Sequence, residues 1–426
     1  MKQVNETHPF GANPPLWQAT AERLSVDAPM LNTCDVAVIG GGYTGLATAL
    51  FAAEAGLAVQ VLEAGQIGSG ASGRNVGLVN AGLWLPPREV ERRLGPELGP
   101  RFVSLFADAP RQVFDLIERY QIRCEARRDG TLHAAHASSG MRDLTARHQA
   151  WRKLGAPVEL LDAQDMAGAT GTTAFAGGLR DMRAGTVNPM GYARGLAWAA
   201  RTAGAHIAEC APVETLRRDG GGWIVSGPAG DLRATSVVLA TNAFSAALRP
   251  ELARCFAIIR YQQLATEPLG PQVAHVLPRG EGLWDTGLVM RSLRKDHAGR
   301  LILGTMGHLA GSADRGASAA WAQRLLRRWF PDLGPQRFEA AWDGQIAMTP
   351  DHLPRILQLD NGLYCPIGYN GRGVTTGTVF GRALADVLAG GDPAGLPLPL
   401  TAPKPVALAK IRGQVVNLAA AMSLRL

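Results

Sequence analysis

The strongest constraint on this chain is an apolar strand entering a glycine turn, Asp35-Val36-Ala37-Val38-Ile39-Gly40-Gly41-Gly42-Tyr43-Thr44-Gly45. A second apolar run, Val59-Gln60-Val61-Leu62, follows and ends on Glu63 and Ala64. Strand, turn, a small-residue helix over residues 44–55 and second strand make a dinucleotide cradle. Gly40 allows the tight turn, Gly42 lets backbone approach a pyrophosphate, and Gly45 lets helix and strand pack closely. The N–H groups at Tyr43 and Thr44, at the positive end of the helix, face the phosphate charge. Glu63 sits about 20 residues beyond the glycines, where a carboxylate accepts hydrogen bonds from a ribose diol. An acid there disfavours a 2′-phosphate and hence NADP, leaving NAD and FAD.

A chain of 426 residues is long for a single core, so two domains are expected. Its 46% hydrophobic and 19% charged residues describe a well-packed soluble protein, and the net charge of +7 is scattered rather than gathered in a run. No aromatic-and-basic module points to nucleic acid. Five separated cysteines without a CxxC pair support neither a disulfide framework nor zinc. Nine histidines include no HExxH spacing, so no metal site is expected. A cytoplasmic location is the reading, with membrane association left open. Residues 1–30 lack an apolar signal core and read as a surface extension. The apolar stretch over residues 36–61 is broken by glycines and Glu54, which argues for strand–helix–strand rather than a membrane span.

Along the rest of the chain, apolar spacing predicts a helix over residues 96–121. Asn188-Pro189 is a helix start, with Asn188 as cap and Pro189 at the first helical position, and that helix reaches about residue 203. Runs at 222–226 and 236–240 read as a hairpin-like addition. Strands are expected at 258–266, 287–293, 300–304 and 363–367, and helices at 321–330 and 375–389.

The segment Ser69-Gly70-Ala71-Ser72-Gly73-Arg74-Asn75-Val76-Gly77 could wind around a second phosphate and a flavin, with Arg74 and Asn75 as donors. Read alone, it is equally a surface loop with a solvated arginine. Further on come Thr186-Val187-Asn188-Pro189, then Val238-Leu239-Ala240-Thr241-Asn242, and lastly Gly368-Tyr369-Asn370-Gly371-Arg372-Gly373-Val374. Cradle, loop and these three motifs, in this order, resemble the FAD-dependent D-amino-acid oxidase-like family, which also holds glycine oxidase and sarcosine oxidase. Within it, the likeness is greatest to the branch of γ-glutamylputrescine oxidase and bacterial L-pipecolate oxidase.

The resemblance implies an α/β plus α+β architecture: a discontinuous Rossmann-like FAD-binding domain (residues 31–95, 171–245 and 345–426) and a substrate domain on a mixed β-sheet (96–170 and 246–344). It assigns Gly40, Gly42, Gly45 and Glu63 to the adenosine-diphosphate site, and Ser72, Arg74, Asn75, Val76 and Gly77 to the phosphate and flavin loop. Val213 matches the position whose backbone meets the adenine, although it reads equally well as strand core. Thr241 and Asn242 lie where the chain passes the cofactor again. Gly371, Arg372, Gly373, Val374 and Thr375 would open the last helix toward the flavin pyrimidine ring, where reduction builds negative charge. Members often carry histidine where this chain has Arg372, whose charge is fixed rather than titratable. Some members tether FAD through a cysteine just before a Thr-Pro-Asp stretch. Trp342-Asp343-Gly344-Gln345-Ile346-Ala347-Met348, which precedes Thr349-Pro350-Asp351, has none, so FAD is expected to be non-covalent.

The implied reaction is C–N bond oxidation by hydride transfer to the flavin, giving an imine. Its substrate would be a secondary or cyclic amino acid such as L-pipecolate, or γ-glutamylputrescine. The acceptor would be O2 or another oxidant. Flavin amine oxidation needs no dedicated base if the amine binds neutral, and His308 and His352 read as loop residues rather than catalysts. For a substrate carboxylate the arginine fork is the usual anchor. Arg294 matches the arginine of a family Tyr-x-Arg strand in which Ser292 replaces the tyrosine, and Arg291 is the alternative anchor. Each reads equally as an exposed strand arginine. Trp84, Tyr261 and Gln262 are further pocket candidates, or core. A quinone-linked dehydrogenase, hinted at by the basic segment at 404–425, and a subunit of a larger amine-oxidising complex are the other readings.

Overall fold

The computed structural model describes residues 13–425. Its first sheet has nine strands. Thr33–Ile39 lies at the centre, parallel to Val59–Leu62 on one side and to Gly230–Leu239 on the other. Side chains alternate across a strand, so Val36 and Val38 enter one buried cluster while Ala37 and Ile39 enter another. Both faces are covered, which is why these strands read as unbroken apolar runs. Gly230–Leu239 does two jobs. Its first half forms a hairpin with Gly222–Gly227, and its second half runs parallel to Thr33–Ile39. The expected hairpin addition at 236–240 is therefore a core strand, and the hairpin closes earlier, at Gly227 and Gly230.

The second sheet has eight strands, in the order Phe338–Met348, Ala257–Thr266, Leu301–Met306, Arg291–Lys295, Gly282–Asp285, Thr131–Ala134, Gly178–Asp181 and Val158–Leu161. Gly282–Asp285 and Thr131–Ala134 run parallel and the other neighbours antiparallel, so the sheet is mixed. Helix Gly316–Trp329 covers one face through Trp321, Leu325, Leu326 and Trp329, against Leu264, Leu293 and Leu303. Gly178–Asp181 lies in this sheet although residues 171–245 were expected with the first, and Phe338–Met348 runs across the boundary expected at 345. Those boundaries came from the family resemblance, which gives no strand pairing for this chain. The expected strand at 287–293 begins only at Arg291, within Arg291–Lys295, and residues 286–290 are the connection from the preceding strand Gly282–Asp285.

The helices bring the two sheets together. The cradle helix, Tyr43–Glu54, is buried along most of its length. A helix apolar all round needs partners all round, and here they are the sheet, helix Pro189–Thr202 and helix Gly373–Leu388. Asn188 caps Pro189–Thr202 by accepting from the Gly191 N–H at 3.0 Å. The long helix Pro87–Arg119 breaks at Gly95, and Phe106 meets Phe380 of Gly373–Leu388 edge-on at 6.2 Å.

Of the extension expected over residues 1–30, residues 1–12 lie outside the described residues, and residues 13–30 do not simply lie on the surface. A short helix, Leu16–Thr20, drives Trp17 to full burial beside Trp342. A tryptophan surrounded by prolines and polar groups carries no periodicity, which hid this from sequence reading.

The crossing of the cradle helix with Gly373–Leu388 leaves no space for side chains at its centre. A Cβ at Gly381 would stand 2.6 Å from both the Ala47 Cβ and the Thr44 carbonyl oxygen. Gly381→Val is expected to destabilise the protein by about 1–3 kcal/mol through overpacking. Differential scanning fluorimetry reads this as a lower melting temperature, and an unchanged value would mean that the helices can separate at no cost.

Candidate active site

The cradle forms where strand Thr33–Ile39 ends. Gly40 takes φ 109°, and the chain at Ala240 and Thr241 passes directly over it. A Cβ at Gly45 would lie 2.0 Å from the Gly40 carbonyl oxygen, so only glycine lets the helix begin this close to the strand end. Glu63 is buried, and its two oxygens accept from the Gly41 N–H at 2.6 Å and the Gly65 N–H at 2.9 Å. Burial raises its carboxyl above the ordinary value, and the Gly65 and Gly41 donors oppose that rise. Oε1 also accepts from the Ser69 hydroxyl at 3.4 Å, whereas Oε2 keeps a second lone pair, so Glu63 can still accept from a diol.

The glycine-rich loop is fastened to this cradle. Ser72 Oγ accepts from the Tyr43 N–H at 3.1 Å, and the Tyr43 hydroxyl donates to the Ser72 carbonyl at 2.5 Å. Asn75 holds the loop from within, donating to the Ser72 carbonyl at 2.7 Å and accepting from the Gly77 N–H at 2.8 Å. From behind, Trp17 Nε1 donates to the Asn75 carbonyl at 2.9 Å and Trp342 Nε1 to the Arg74 carbonyl at 2.7 Å.

A cavity of about 400 Å³ runs from this cradle to the second sheet. Gly40, Gly42, Tyr43, Thr44, Glu63, Ala64 and Val213 line it at the first sheet, with Ser72, Asn75, Val76, Thr241 and Asn242 alongside. Gly371, Arg372, Gly373 and Val374 line it at the start of helix Gly373–Leu388, and Trp84, Tyr261, Gln262 and Ser292 also face it. Gly371 takes φ 83°, and the turn is locked by Asn370 Oδ1, which accepts from the Thr349 N–H at 2.8 Å.

Arg372 dominates the far end. It is the residue preceding the helix and is buried, and its guanidinium carbon lies 4.6 Å from the centre of the Trp284 ring. Trp284 in turn stacks on His133 at 3.4 Å and meets Trp84 edge-on at 5.9 Å. Burial, helped by Arg147, pushes Arg372 down to about 9, which still leaves it charged at neutral pH. Burial, then Arg147 and Arg372, holds His133 well below its usual value, so it stacks neutral. Among the described residues lining the cavity, Arg372 is the one cation and Glu63 the one carboxylate. Arg372 Nη1, the Tyr261 hydroxyl, Gln262 Nε2 and Gln263 Oε1 are buried without a protein hydrogen-bond partner. Buried polar groups are normally satisfied, so four orphans around one cavity call for a polar ligand.

Six sequence-predicted residues lie elsewhere. Arg294 is 1% exposed and points beneath the loop, where Nη1 donates to the carbonyls of Val76 and Val187 and the guanidinium sits 5.0 Å from the Trp17 ring centre. Arg291 faces Asp285 at 3.5 Å. Neither lines the cavity, so neither is placed to hold a substrate carboxylate. Arg74 also turns away, donating to the carbonyls of Asp343 and Asn13 at 2.6 Å each, and is not a cofactor donor. Gly45, Gly77 and Thr375 shape the walls without facing the space. Alternation along a strand cannot say which of two arginines faces a ligand when the sheet is buried on both sides. Trp284, Gln263, Met290, Thr305, Gln345 and Ile346 line the cavity and were missed. Gln345 and Ile346 sit on the eleven-residue strand Phe338–Met348, whose burial does not alternate cleanly, so its sequence carried no signal for them.

The family description "FAD dependent oxidoreductase" (DAO) matches residues 35–387. The gamma-glutamylputrescine oxidoreductase of Escherichia coli (strain K12) is 31% identical over 361 residues, 84% of each chain. The glycine oxidase of Geobacillus kaustophilus is 27% identical over 369 residues, covering 84% of this chain and 94% of that one. The crystal structure of glycine oxidase from Geobacillus kaustophilus superposes with a TM-score of 0.71 at 23% identity, over 87% of this chain and 99% of that one.

Trp17 braces the loop that the cavity wraps around. Trp17→Ala is expected to cost about 3–5 kcal/mol of stability, and its first visible effect should be faster loss of cofactor. Flavin absorbance after gel filtration reads this. Retention equal to wild type would show that the loop holds its shape unaided.

Proposed function

The chain belongs to the FAD dependent oxidoreductase (DAO) family, and we infer that its substrate is an amine carrying a carboxylate, held by Arg372. FAD is the cofactor, and when bound it supplies the acceptor for the hydride leaving the carbon next to nitrogen, which makes the product an imine. The residues present fit that group. The cradle backbone and Glu63 would hold the adenosine diphosphate, and Ser72, Asn75 and Val76 the turn toward the flavin. The start of helix Gly373–Leu388 would face the ring with N–H groups and a positive dipole end.

One observation carries the substrate reading. The aromatic end of the cavity holds a single buried cation with an unused donor and, among the described residues, no carboxylate. A free diamine would bring two positive charges against Arg372 with nothing to balance them. An amino acid, or a γ-glutamylated amine, brings a carboxylate that the guanidinium fork can grip by two hydrogen bonds. Stacking on Trp284 fixes the plane of that fork. Trp84, Trp284, Met290 and Ile346 exclude water from the carbon chain, and Tyr261, Gln262 and Gln263 orient the polar groups. No histidine lines the cavity among the described residues, which supports binding of the amine in its neutral form. The relative named gamma-glutamylputrescine oxidoreductase favours γ-glutamylputrescine within this class. L-Pipecolate, the other candidate, shares the carboxylate and offers a secondary amine. No cysteine or histidine faces the cavity among the described residues, which supports non-covalent FAD.

Anaerobic mixing of the FAD-loaded protein with amino acids, N-substituted amino acids, γ-glutamylputrescine and free putrescine tests the reading. Bleaching of the flavin band by carboxylate-bearing amines, and not by putrescine, is expected. Arg372→Met should raise the KM of the active substrate by about tenfold to several hundredfold, the range for loss of a charge-assisted pair. Arg372→Lys should recover part of that loss. Bleaching by putrescine, or an unchanged KM in Arg372→Met, would sink the proposal. Acid precipitation should leave the flavin in the supernatant, and a yellow pellet would mean a covalent bond.

A further inference from the structure

The helix Ala409–Ser423 packs on Ala257–Thr266, the second strand of the second sheet. Its inner face is small and tied down. Ala409, Gly413 and Ala420 are buried, Asn417 Oδ1 accepts from the Arg260 N–H at 2.8 Å, and Asn417 Nδ2 donates to the Ile258 carbonyl at 3.0 Å. The outer face is the opposite of what a solvated helix shows. Leu408, Ile411, Val415, Leu418 and Met422, spaced three and four residues apart, form a single ridge, and each is between 51% and 66% exposed. At 3.6 residues per turn this ridge stands opposite the buried face, with Lys410 and Arg412 on its two flanks. Lys404, Lys410, Arg412 and Arg425 are all exposed, and no Asp or Glu follows Asp392 in the sequence.

We propose that this ridge docks on an anionic lipid surface, with the helix lying in the interface and not crossing it. An apolar stripe bordered by basic side chains is the pattern of interfacial helices. The stripe enters the acyl boundary while lysine and arginine stems reach back to anionic headgroups. Charge complementarity favours lipid over a second copy of this chain. Ridge-to-ridge pairing of two copies would oppose Lys410 and Arg412 of each without any acid to receive them. None of the helices in the described residues is long and apolar enough to cross a membrane, so the contact is peripheral. Lipid docking would bring the flavoprotein to lipid-dissolved electron acceptors, and it stands independently of the substrate reading.

Co-sedimentation of the FAD-loaded full chain with vesicles is the test. The protein should pellet with phosphatidylcholine vesicles containing phosphatidylglycerol, much less with phosphatidylcholine alone, and less as salt screens the charges. Val415→Glu and Leu418→Glu should each cut binding by about tenfold or more, because each places a charge at the acyl boundary. Both positions face solvent, so flavin content, melting temperature and turnover in solution should match wild type. Lys410→Ala combined with Arg412→Ala should remove the preference for anionic vesicles. No pelleting of wild type with anionic vesicles, or undiminished pelleting of Leu418→Glu, overturns the proposal. So does a dimer in sedimentation velocity that Leu418→Glu disperses without any lipid binding, since that assigns the ridge to self-association.

Discussion

Everything in this molecule hangs on how near the cradle helix can come to the strand that feeds it. At Gly45 the helix backbone lies so close to the Gly40 carbonyl that no Cβ fits, and at Gly381 a second helix closes on its other side with as little room. These contacts fix the orientation of the N–H groups of Gly41 to Thr44, and through Gly41 they fix Glu63. The geometry that favours phosphate is thus set by the absence of side chains. What holds it is dispersion between small groups packed at the density of a molecular crystal, with only a few polar contacts.

The second sheet contributes a different physical environment to the same cavity. The cradle end offers backbone donors and one hydrogen-bonded carboxylate, while the far end offers indole faces, amides and one buried guanidinium. Burial weakens Arg372's hold on its proton, and stacking on Trp284 gives back part of what desolvation costs. His133, neutral behind the indole, adds breadth to the stack without adding charge. The aromatic end therefore carries a charge of fixed sign at neutral pH.

Much of this was legible in the chain because its signals are local. The Asn188-Pro189 helix start and the turn before Gly373 each depend on residues within a few positions of one another, and the cradle glycines and Glu63 belong to one strand–helix–strand unit. The failures share a cause that is equally physical. Arg74 and Arg294 were read as ligand donors because they match arginines of the family resemblance, with Arg291 as the alternative anchor. What decides an arginine's role is the carbonyl it meets from a distant segment: Asp343 for Arg74, Val187 for Arg294. Gly178–Asp181 could pair in either sheet on composition alone. Trp284 gives no sign in sequence that it will lie between a histidine and an arginine, since those partners come from positions 133 and 372.

The Trp17 strap has a consequence for the order in which the protein is completed. Its ring rests against Trp342 and its N–H reaches Asn75, so one contact joins residues 325 positions apart with another 58 positions away. During synthesis the strap emerges long before the strand that covers it, and until Trp342 arrives an apolar ring has no wall to rest on. Contacts of such long separation form late, because loop closure must precede them. The loop over residues 69–77 therefore gains its backing only after the second sheet is in place, which makes a finished cavity wall the signature of a finished chain.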